Sequence, residues 1–523
     1  TADEELLRFV EEEVLTYRVC DPAMGSGHFL VNAVYHITAF IVETLHLTSW
    51  DTSTLGTSSV FWRREAVEHC LFGVDISLMA VELAKLSLWL ASVAEGAPLS
   101  FLDHHLRWGN SLIGARLDDL PQVLPELAQA QPSRLEQRAR QAGQLSMLDD
   151  PAFSEHLATA TDLLTHISTR VAETVDDVRA QEADYEKVRA ELEPYRELAD
   201  LCIATHFGLE LNDPQLRAVA RQLLDGHIES APKYRQFVVE AQRLANEKLF
   251  FHWQLEFATV FLGRHHGSRR GFNAVIGNPP YSAAISSRDR AYFEMSFPET
   301  GSGYKNLALH FTEQGLSLSA GRFAFIVPKS VTFSEGWRSA RELLWPLLTH
   351  ATDAGKAWED VLLEMVVLIA HAYRKSDCYT SGQFRDGRVT GVPIEKREWD
   401  RFGVLLTSVT SREKTVAQLA WRKAQPMHKI VRNYRGLGWQ RFCSSSGDIP
   451  VIRGDAIERY QVLPNTFINR QVIENRGYAN RLRRYQCQRV LAQNMVAHVT
   501  RPADHITIIA ALAPNNTIPL DTV

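Results

Sequence analysis

The sequence predicts an α/β fold: a mostly parallel sheet, interrupted by a long helical insertion and followed by a separate basic region. Three observations carry this reading. Tyr17-Arg18-Val19-Cys20 reads as a short strand that runs into Asp21-Pro22-Ala23-Met24-Gly25-Ser26-Gly27-His28-Phe29-Leu30, and a helical pattern continues to about Leu45. Cys70-Leu71-Phe72-Gly73-Val74-Asp75 is a second apolar strand ending in an acid, again followed by helical spacing. Phe272-Asn273-Ala274-Val275-Ile276-Gly277 is a third, and it enters Asn278-Pro279-Pro280-Tyr281. Strands that alternate with helices imply a parallel sheet, and ligands of such sheets bind at the carboxyl ends of the strands. Asp21, Asp75, Asn110 and Asn278 all fall at predicted strand ends, so they are expected to converge on one crevice.

Taken in order, residues 3–16 read as a short Glu-rich helix. The turn after the first strand has Gly25 and Gly27, which let backbone approach a ligand closely. Its spacing meets neither the dinucleotide fingerprint nor the phosphate loop. Asp21 at the strand end suits a cationic or hydroxyl-bearing ligand better than a pyrophosphate. The acid Asp75 at the second strand's tip is placed to hold ribose hydroxyls. Met79, Leu83, Leu86 and Leu90 recur at helical spacing and are expected in the core. Asn110 in Gly109-Asn110-Ser111-Leu112 sits where a third strand meets a loop. Adjacent His104 and His105 have no partner acids or thiols nearby, so they are read as packing or surface residues and no metal site is expected.

Residues 115–250 are acidic and Gln/Ala/Leu/Glu-rich, with 15 Lys and Arg against 24 Asp and Glu. They are expected to be helical, broken near Pro132, Pro151, Pro194, Pro214 and Pro232, with a solvated charged helix over 182–197. Gly321–Pro328 reads as a buried strand, and Trp358–Ile369 as an edge hairpin into a last strand. Residues 401–523 carry 18 Lys and Arg against 7 Asp and Glu. The chain's net charge of −6 argues against a polyanion partner, but this basic segment argues for one. Six scattered cysteines with no CxxC pair fit a reducing cytoplasm, and no apolar run reaches about 18 residues, so no membrane span is expected. The chain begins at Thr1 without Met and ends just after a turn-like segment, so further sequence is expected at both ends.

The Asn278–Tyr281 corner has its own chemistry. Proline fixes φ and has no N–H, so the corner is stiff and its carbonyls are free. The Asn side chain offers an acceptor and Tyr281 a flat face with a polar tip. Such a corner suits gripping the amino group of a planar ring.

Asp21–Phe29, Asp75, Asn278–Tyr281, Gly321–Pro328 and a basic C-terminal region come in an order that resembles the γ-type amino DNA methyltransferases. The likeness is to type IIG restriction–modification methyltransferases and to BREX and DISARM phage-defence methylases. Phe251-His252-Trp253 and Gly109–Leu112 resemble that group as well. The resemblance implies a Rossmann-like class I methyltransferase sheet. It divides the chain into a cofactor half (1–114), a helical insertion (115–250), a catalytic half (251–390) and a basic target-recognition domain (391–523). It implies S-adenosylmethionine as cofactor, double-stranded DNA as partner, and adenine-N6 methylation that marks host DNA in a bacterial or archaeal cytoplasm, alongside helicase or nuclease subunits.

The same resemblance assigns roles. Asp21, Gly25 and Gly27, with Ala23 and Phe29 in their string, would cradle the methionine part of the cofactor. Asp75 would hold the ribose and Ile76 would pack on the adenine. Asn110 falls where the family often has an Asp. Asn278, which also borders the cofactor, would accept from the target amino group through its side chain, and Pro279 through its carbonyl, with Pro280 stiffening the turn. Tyr281 would stack on the flipped base and Trp358 on its other face. Arg453, Arg481, Arg483, Arg484 and Arg489 would contact DNA. The chain departs from the family in the long insertion and in lacking most of the N-terminal segment that closes over the cofactor, and it shows no nuclease motif. A protein-glutamine or RNA amino methyltransferase, and a non-catalytic DNA-binding subunit, are the alternatives; the cytosine amino group is the alternative target, because the corner grips an NH2 and does not name the ring behind it.

Overall fold

The computed structural model describes residues 2–45, 56–92, 101–116, 151–169, 174–262, 270–281, 285–301, 306–357, 363–423, 425, 429, 439–458, 461–474, 489–492, 497–499, 505–507, 510–514 and 517–520. The chain divides into two compact units, Thr1–Lys414 and Thr415–Val523. Residues 391–414, grouped above with the basic region, therefore belong to the first unit.

The first unit is built on a nine-stranded sheet: β1 (Val19–Asp21), β2 (Leu71–Asp75), β3 (Leu106–Trp108), β4 (Phe272–Gly277), β5 (Ser319–Pro328), β6 (Leu348–Gly355), β7 (Met365–His371), β8 (Cys378–Arg385) and β9 (Arg388–Glu395). Their order is β3-β2-β1-β4-β5-β7-β6-β8-β9. The first five neighbours are parallel. β7 runs antiparallel between β5 and β6. Short apolar strands such as Leu71-Phe72-Gly73-Val74, buried on both faces, are what a sheet covered by helices requires. All the parallel strands end at one edge, where Asp21, Asp75 and the Asn278 corner lie.

Three expectations about these elements are corrected. Residues 365–371 are not at the sheet's edge. They form an interior strand, because β6, β8 and β9 extend the sheet beyond it. Along the helix Leu78–Ser92 the face named as core is the wrong one. Met79, Leu83, Leu86 and Leu90 are exposed, whereas Val81, Ala84, Leu88 and Ala91 are buried. Both faces are apolar, so periodicity could not choose between them. The small residues Ala84 and Ala91 lie on the buried side and allow closer packing. Pro194 breaks nothing: Val175–Ala204 is one 30-residue helix running through it. An interior proline costs about 3 kcal/mol. Here Tyr185, Val188, Leu192, Tyr195 and Leu198 are buried on both sides of it, so the helix is half core rather than a solvated rod.

The described part of the insertion is helical: Pro151–Thr169, Val175–Ala204, Asp213–Leu224 and Pro232–Lys248. Capping boxes at Thr174–Asp177 and Asn212–Gln215 start two of these helices. The second unit is a set of short strands. Ile449–Ile452 pairs with Thr466–Ile468 and Ile518–Pro519 over Trp439, Val451 and Leu520. Among the described residues no helix is long and apolar enough to cross a membrane.

Candidate active site

Asp21 ends β1 and is buried. Its Oδ1 accepts from the Ala23 N–H at 2.9 Å, and its Oδ2 has no partner among the described residues. Burial pushes its carboxyl up to about 7; the Ala23 N–H works against this and the nearby Asp75 charge adds to it. Gly25 and Gly27 follow with φ of 54° and 82°. Gly27 opens the helix His28–Thr44, and a Cβ there would lie 3.1 Å from Ala84 Cβ, so both space and φ require glycine. Chain neighbours apart, no atom of the described residues lies within 4 Å of the position a Gly25 Cβ would take.

Asp75 braces this turn. Its Oδ2 accepts from Gly25 N–H at 2.9 Å and its Oδ1 from Ser77 N–H at 2.8 Å. Beside it Ile76 is 59% exposed, a large aliphatic side chain left open at a strand end. Trp108, at the end of β3, is half exposed and donates its Nε1–H to the Ile76 carbonyl at 3.0 Å. Sequence reasoning passed over Trp108. The available signal was an aromatic next to Gly109-Asn110 at a strand terminus. Asn110 Oδ1 accepts from Leu112 N–H at 3.1 Å and closes its own turn. Ser111, also missed, donates its hydroxyl to the Pro22 carbonyl at 2.5 Å and joins the two loops. Phe29 is partly exposed in the first turn of its helix.

The Asn-Pro-Pro-Tyr corner follows β4, which is paired with β1 through Val19–Ala274 and Cys20–Val275. Register therefore places Asp21 next to Ile276–Gly277. A Cβ on Gly277 would come 2.6 Å from Asp21 Oδ1. Asn278 Oδ1 is buried and has no hydrogen-bond partner among the described residues. Pro279 is buried, Pro280 exposed and Tyr281 half-buried. The structure thus brings Asp21, Gly25, Gly27, Asp75, Ile76, Asn110 and Asn278 to one sheet edge. Two of the acceptors there, at the ends of adjacent strands, are unpaired among the described residues. Buried acceptors without partners are rare and cost about 1–3 kcal/mol each. Trp358, Arg481, Arg483 and Arg484 lie outside the described residues.

In the second unit Arg453 is half exposed, 3.6 Å from Asp455. Arg489 is engaged inside the unit: its Nη2 donates to Thr517 Oγ1 at 2.9 Å and to the Thr517 carbonyl. His104 and His105 are buried against Phe101 and Phe72, and burial pushes the His104 imidazole down to about 3. Among the described residues no group of His, Cys, Asp and Glu could hold a metal.

Two predictions concern this edge. A carboxyl whose folded pKa lies above its unfolded value holds its proton more tightly when folded. Stability therefore falls as pH rises from 3.8 through about 7. Asp21→Asn is expected to raise the melting temperature, with a gain that grows from about pH 4 to about pH 7 and then levels off. A gain that is flat with pH would show the carboxyl to be unperturbed. Gly277→Ala is expected to cost about 1–3 kcal/mol in urea unfolding, because the new methyl meets Asp21. An unchanged midpoint would show that the carboxylate steps aside freely.

The strand order, with seven strands in the sequence 3-2-1-4-5-7-6 and acids at the ends of β1 and β2, defines the class I methyltransferase fold. The chain belongs to the Eco57I restriction-modification methylase family, whose model matches residues 69–351. A second family model, the MmeI DNA-methyltransferase domain, matches residues 1–99. The chain is 23% identical over 360 residues to a putative type II restriction enzyme and methyltransferase of Methanocaldococcus jannaschii, covering 63% of this chain and 27% of that protein. Among solved structures, the type IIL enzyme MmeI in complex with DNA matches with a TM-score of 0.39 and 11% identity, over 99% of this chain and 57% of that one. The M protein of the type I enzyme EcoKI matches with a TM-score of 0.31 and 12% identity, over 84% and 56%. The chain thus spans about a quarter of the first relative's length and little more than half of these two structures.

Proposed function

We propose that this chain is an S-adenosylmethionine-dependent DNA methyltransferase that modifies the N6 amino group of a flipped adenine, marking DNA within a restriction–modification or phage-defence system. The observation that carries this reading is the buried Oδ1 of Asn278, just past the strand that pairs with β1; among the described residues neither it nor the Oδ2 of Asp21 has a partner.

The chain's residues fit the cofactor. Open space at Gly25, the close approach at Gly27, the orphan oxygen of Asp21 and the exposed Ile76 beside Asp75 suit a cationic amino acid, a ribose and an adenine in turn. Asp21 would face the charged methionine end, and Asp75 would accept from ribose hydroxyls with its remaining lone pairs. When bound, S-adenosylmethionine supplies an electrophilic methyl group on a sulfonium.

An exocyclic amino nitrogen is a poor nucleophile because its lone pair is delocalised into the ring. Asn278 Oδ1 and the Pro279 carbonyl would accept its two N–H bonds and draw it toward a tetrahedral shape, which returns density to the lone pair. Pro279 and Pro280 keep those acceptors from relaxing away. A base inside a duplex must first be flipped out, at a cost of a few kcal/mol. Stacking on Tyr281 would return about 1–3 kcal/mol. The basic second unit, through Arg453 and the neighbouring arginines, would hold phosphates and read bases. Helicase or nuclease subunits are its proposed companions.

Incubation of duplex DNA with the protein and cofactor, followed by single-molecule sequencing, tests this directly. N6-methyladenine in one sequence context is the expected result. N4-methylcytosine would correct the target base. A protein that binds the cofactor yet leaves every DNA unmodified would overturn the reading.

A further inference from the structure

The helical insertion reaches the cofactor edge through a buried relay. The loop after β3 (109–115) carries Asn110 and Ser111, and it is zipped to residues 249–253. Asn110 N–H donates to the Leu249 carbonyl at 2.7 Å, and Phe251 N–H to the Ile113 carbonyl at 2.7 Å. Trp253 Nε1–H donates to the Ser111 carbonyl at 3.0 Å. The fit is tight: a Cβ on Gly114 would come 1.9 Å from the Phe251 carbonyl oxygen.

His252 closes the zipper. Its Nδ1 accepts from Ala115 N–H at 3.0 Å, so its proton sits on Nε2, which meets Asp200 Oδ1 at 2.9 Å. Both side chains are buried. Asp200 is on the insertion helix Val175–Ala204. A continuous path therefore runs from the insertion through Asp200, His252 and Ala115 to Ser111, and from its hydroxyl to Pro22 in the Asp21–Gly27 turn.

We propose that Asp200 and His252 are positioning residues for the cofactor: the insertion uses them to hold the 109–115 loop where it faces the cofactor's adenosine. This rests on the reading of that edge as an S-adenosylmethionine site. A buried pair in which both imidazole nitrogens of His252 are engaged, one by Ala115 and one by Asp200, fixes one geometry of the loop, whereas an apolar contact of the same size would tolerate several. Neither side chain touches the reacting atoms, so the effect belongs in affinity and loop order rather than in chemistry.

The test uses the whole chain with S-adenosylhomocysteine as probe, by calorimetry, together with hydrogen exchange of the free protein. Asp200→Ala is expected to weaken binding about tenfold and to speed exchange over 109–115. The rest of the first unit should stay protected. Asp200→Asn, which keeps an acceptor for His252, should bind within about twofold of the unmodified protein. Turnover at saturating cofactor should hardly change. Should Asp200→Ala fail to fold, His252→Asn keeps an acceptor for Ala115, loses Asp200, and should show the same weakening. Unchanged binding in the variant that folds, equal loss in Asp200→Ala and Asp200→Asn, or faster exchange throughout the unit would overturn the proposal. If the unmodified protein does not bind the probe, the cofactor reading itself falls and the proposal with it.

Discussion

Asn278→Ala is expected to lower the rate of methyl transfer at saturating DNA and cofactor by about 10²–10³-fold, as removal of one preorganised transition-state partner does elsewhere. The melting temperature should hold or rise. The second half of this prediction follows from the structure. Asn278 Oδ1 is buried and unpaired among the described residues, so the side chain is a local liability. Residues kept for chemistry at the expense of stability behave this way. Cofactor affinity should stay within the same order, because Asp21, Asp75 and the two glycines remain. Single-turnover methylation of duplex DNA, paired with a thermal melt, reads both effects. A variant that melts several degrees lower while losing activity in proportion would make Asn278 a structural residue of the corner. A variant that methylates normally would remove it from the reaction altogether.

What could be read from sequence was local. The placement of Asp21, Gly25, Gly27, Asp75 and Asn278 is legible because each lies at a strand end marked by a signal a few residues long, and parallel sheets bring such strand ends to one edge. What failed depended on partners far away in the chain. Met79, Leu83, Leu86 and Leu90 have the same spacing as the residues that are actually buried, and only the sheet's position decides between the two faces. Pro194 signals a break, but the packing on either side overrides it. The interior place of residues 365–371 depends on β8 and β9, which come later in the chain. The Asp200–His252 and Arg107–Glu256 pairs join residues 52 and 149 apart, and no periodicity or spacing rule reaches that far.

Glu256→Ala is expected to be the most destabilising of these substitutions, costing the first unit about 3–5 kcal/mol in urea unfolding. Glu256 Oε2 meets Arg107 Nη2 at 2.5 Å and its Oε1 meets Arg196 Nη2 at 3.2 Å. Arg107 also donates to the Tyr185 hydroxyl at 2.5 Å. The cluster ties β3, the insertion helix and the segment leading into β4 to one another. Burial alone would raise the Glu256 carboxyl, but the guanidiniums of Arg107 and Arg196 hold it down at about 2. An acid depressed in this way stabilises the fold above its unfolded pKa of about 4.3. That contribution is lost as pH falls toward about 2. The advantage of the unmodified protein over Glu256→Gln should therefore shrink as the medium is acidified through that window. Truncation to alanine is worse than neutralisation, because glutamine keeps an acceptor for the guanidiniums, whereas alanine leaves Arg107 without its carboxylate and Arg196 with only Glu193 at 3.6 Å. Replacing Arg107, Arg196 and Glu256 together by leucine should cost less than Glu256→Ala, since it removes the stranded charges as well as their partner. A loss below about 1 kcal/mol for Glu256→Ala would mean that water screens the cluster as it does a surface pair. It would then no longer account for how the insertion is fastened to the sheet.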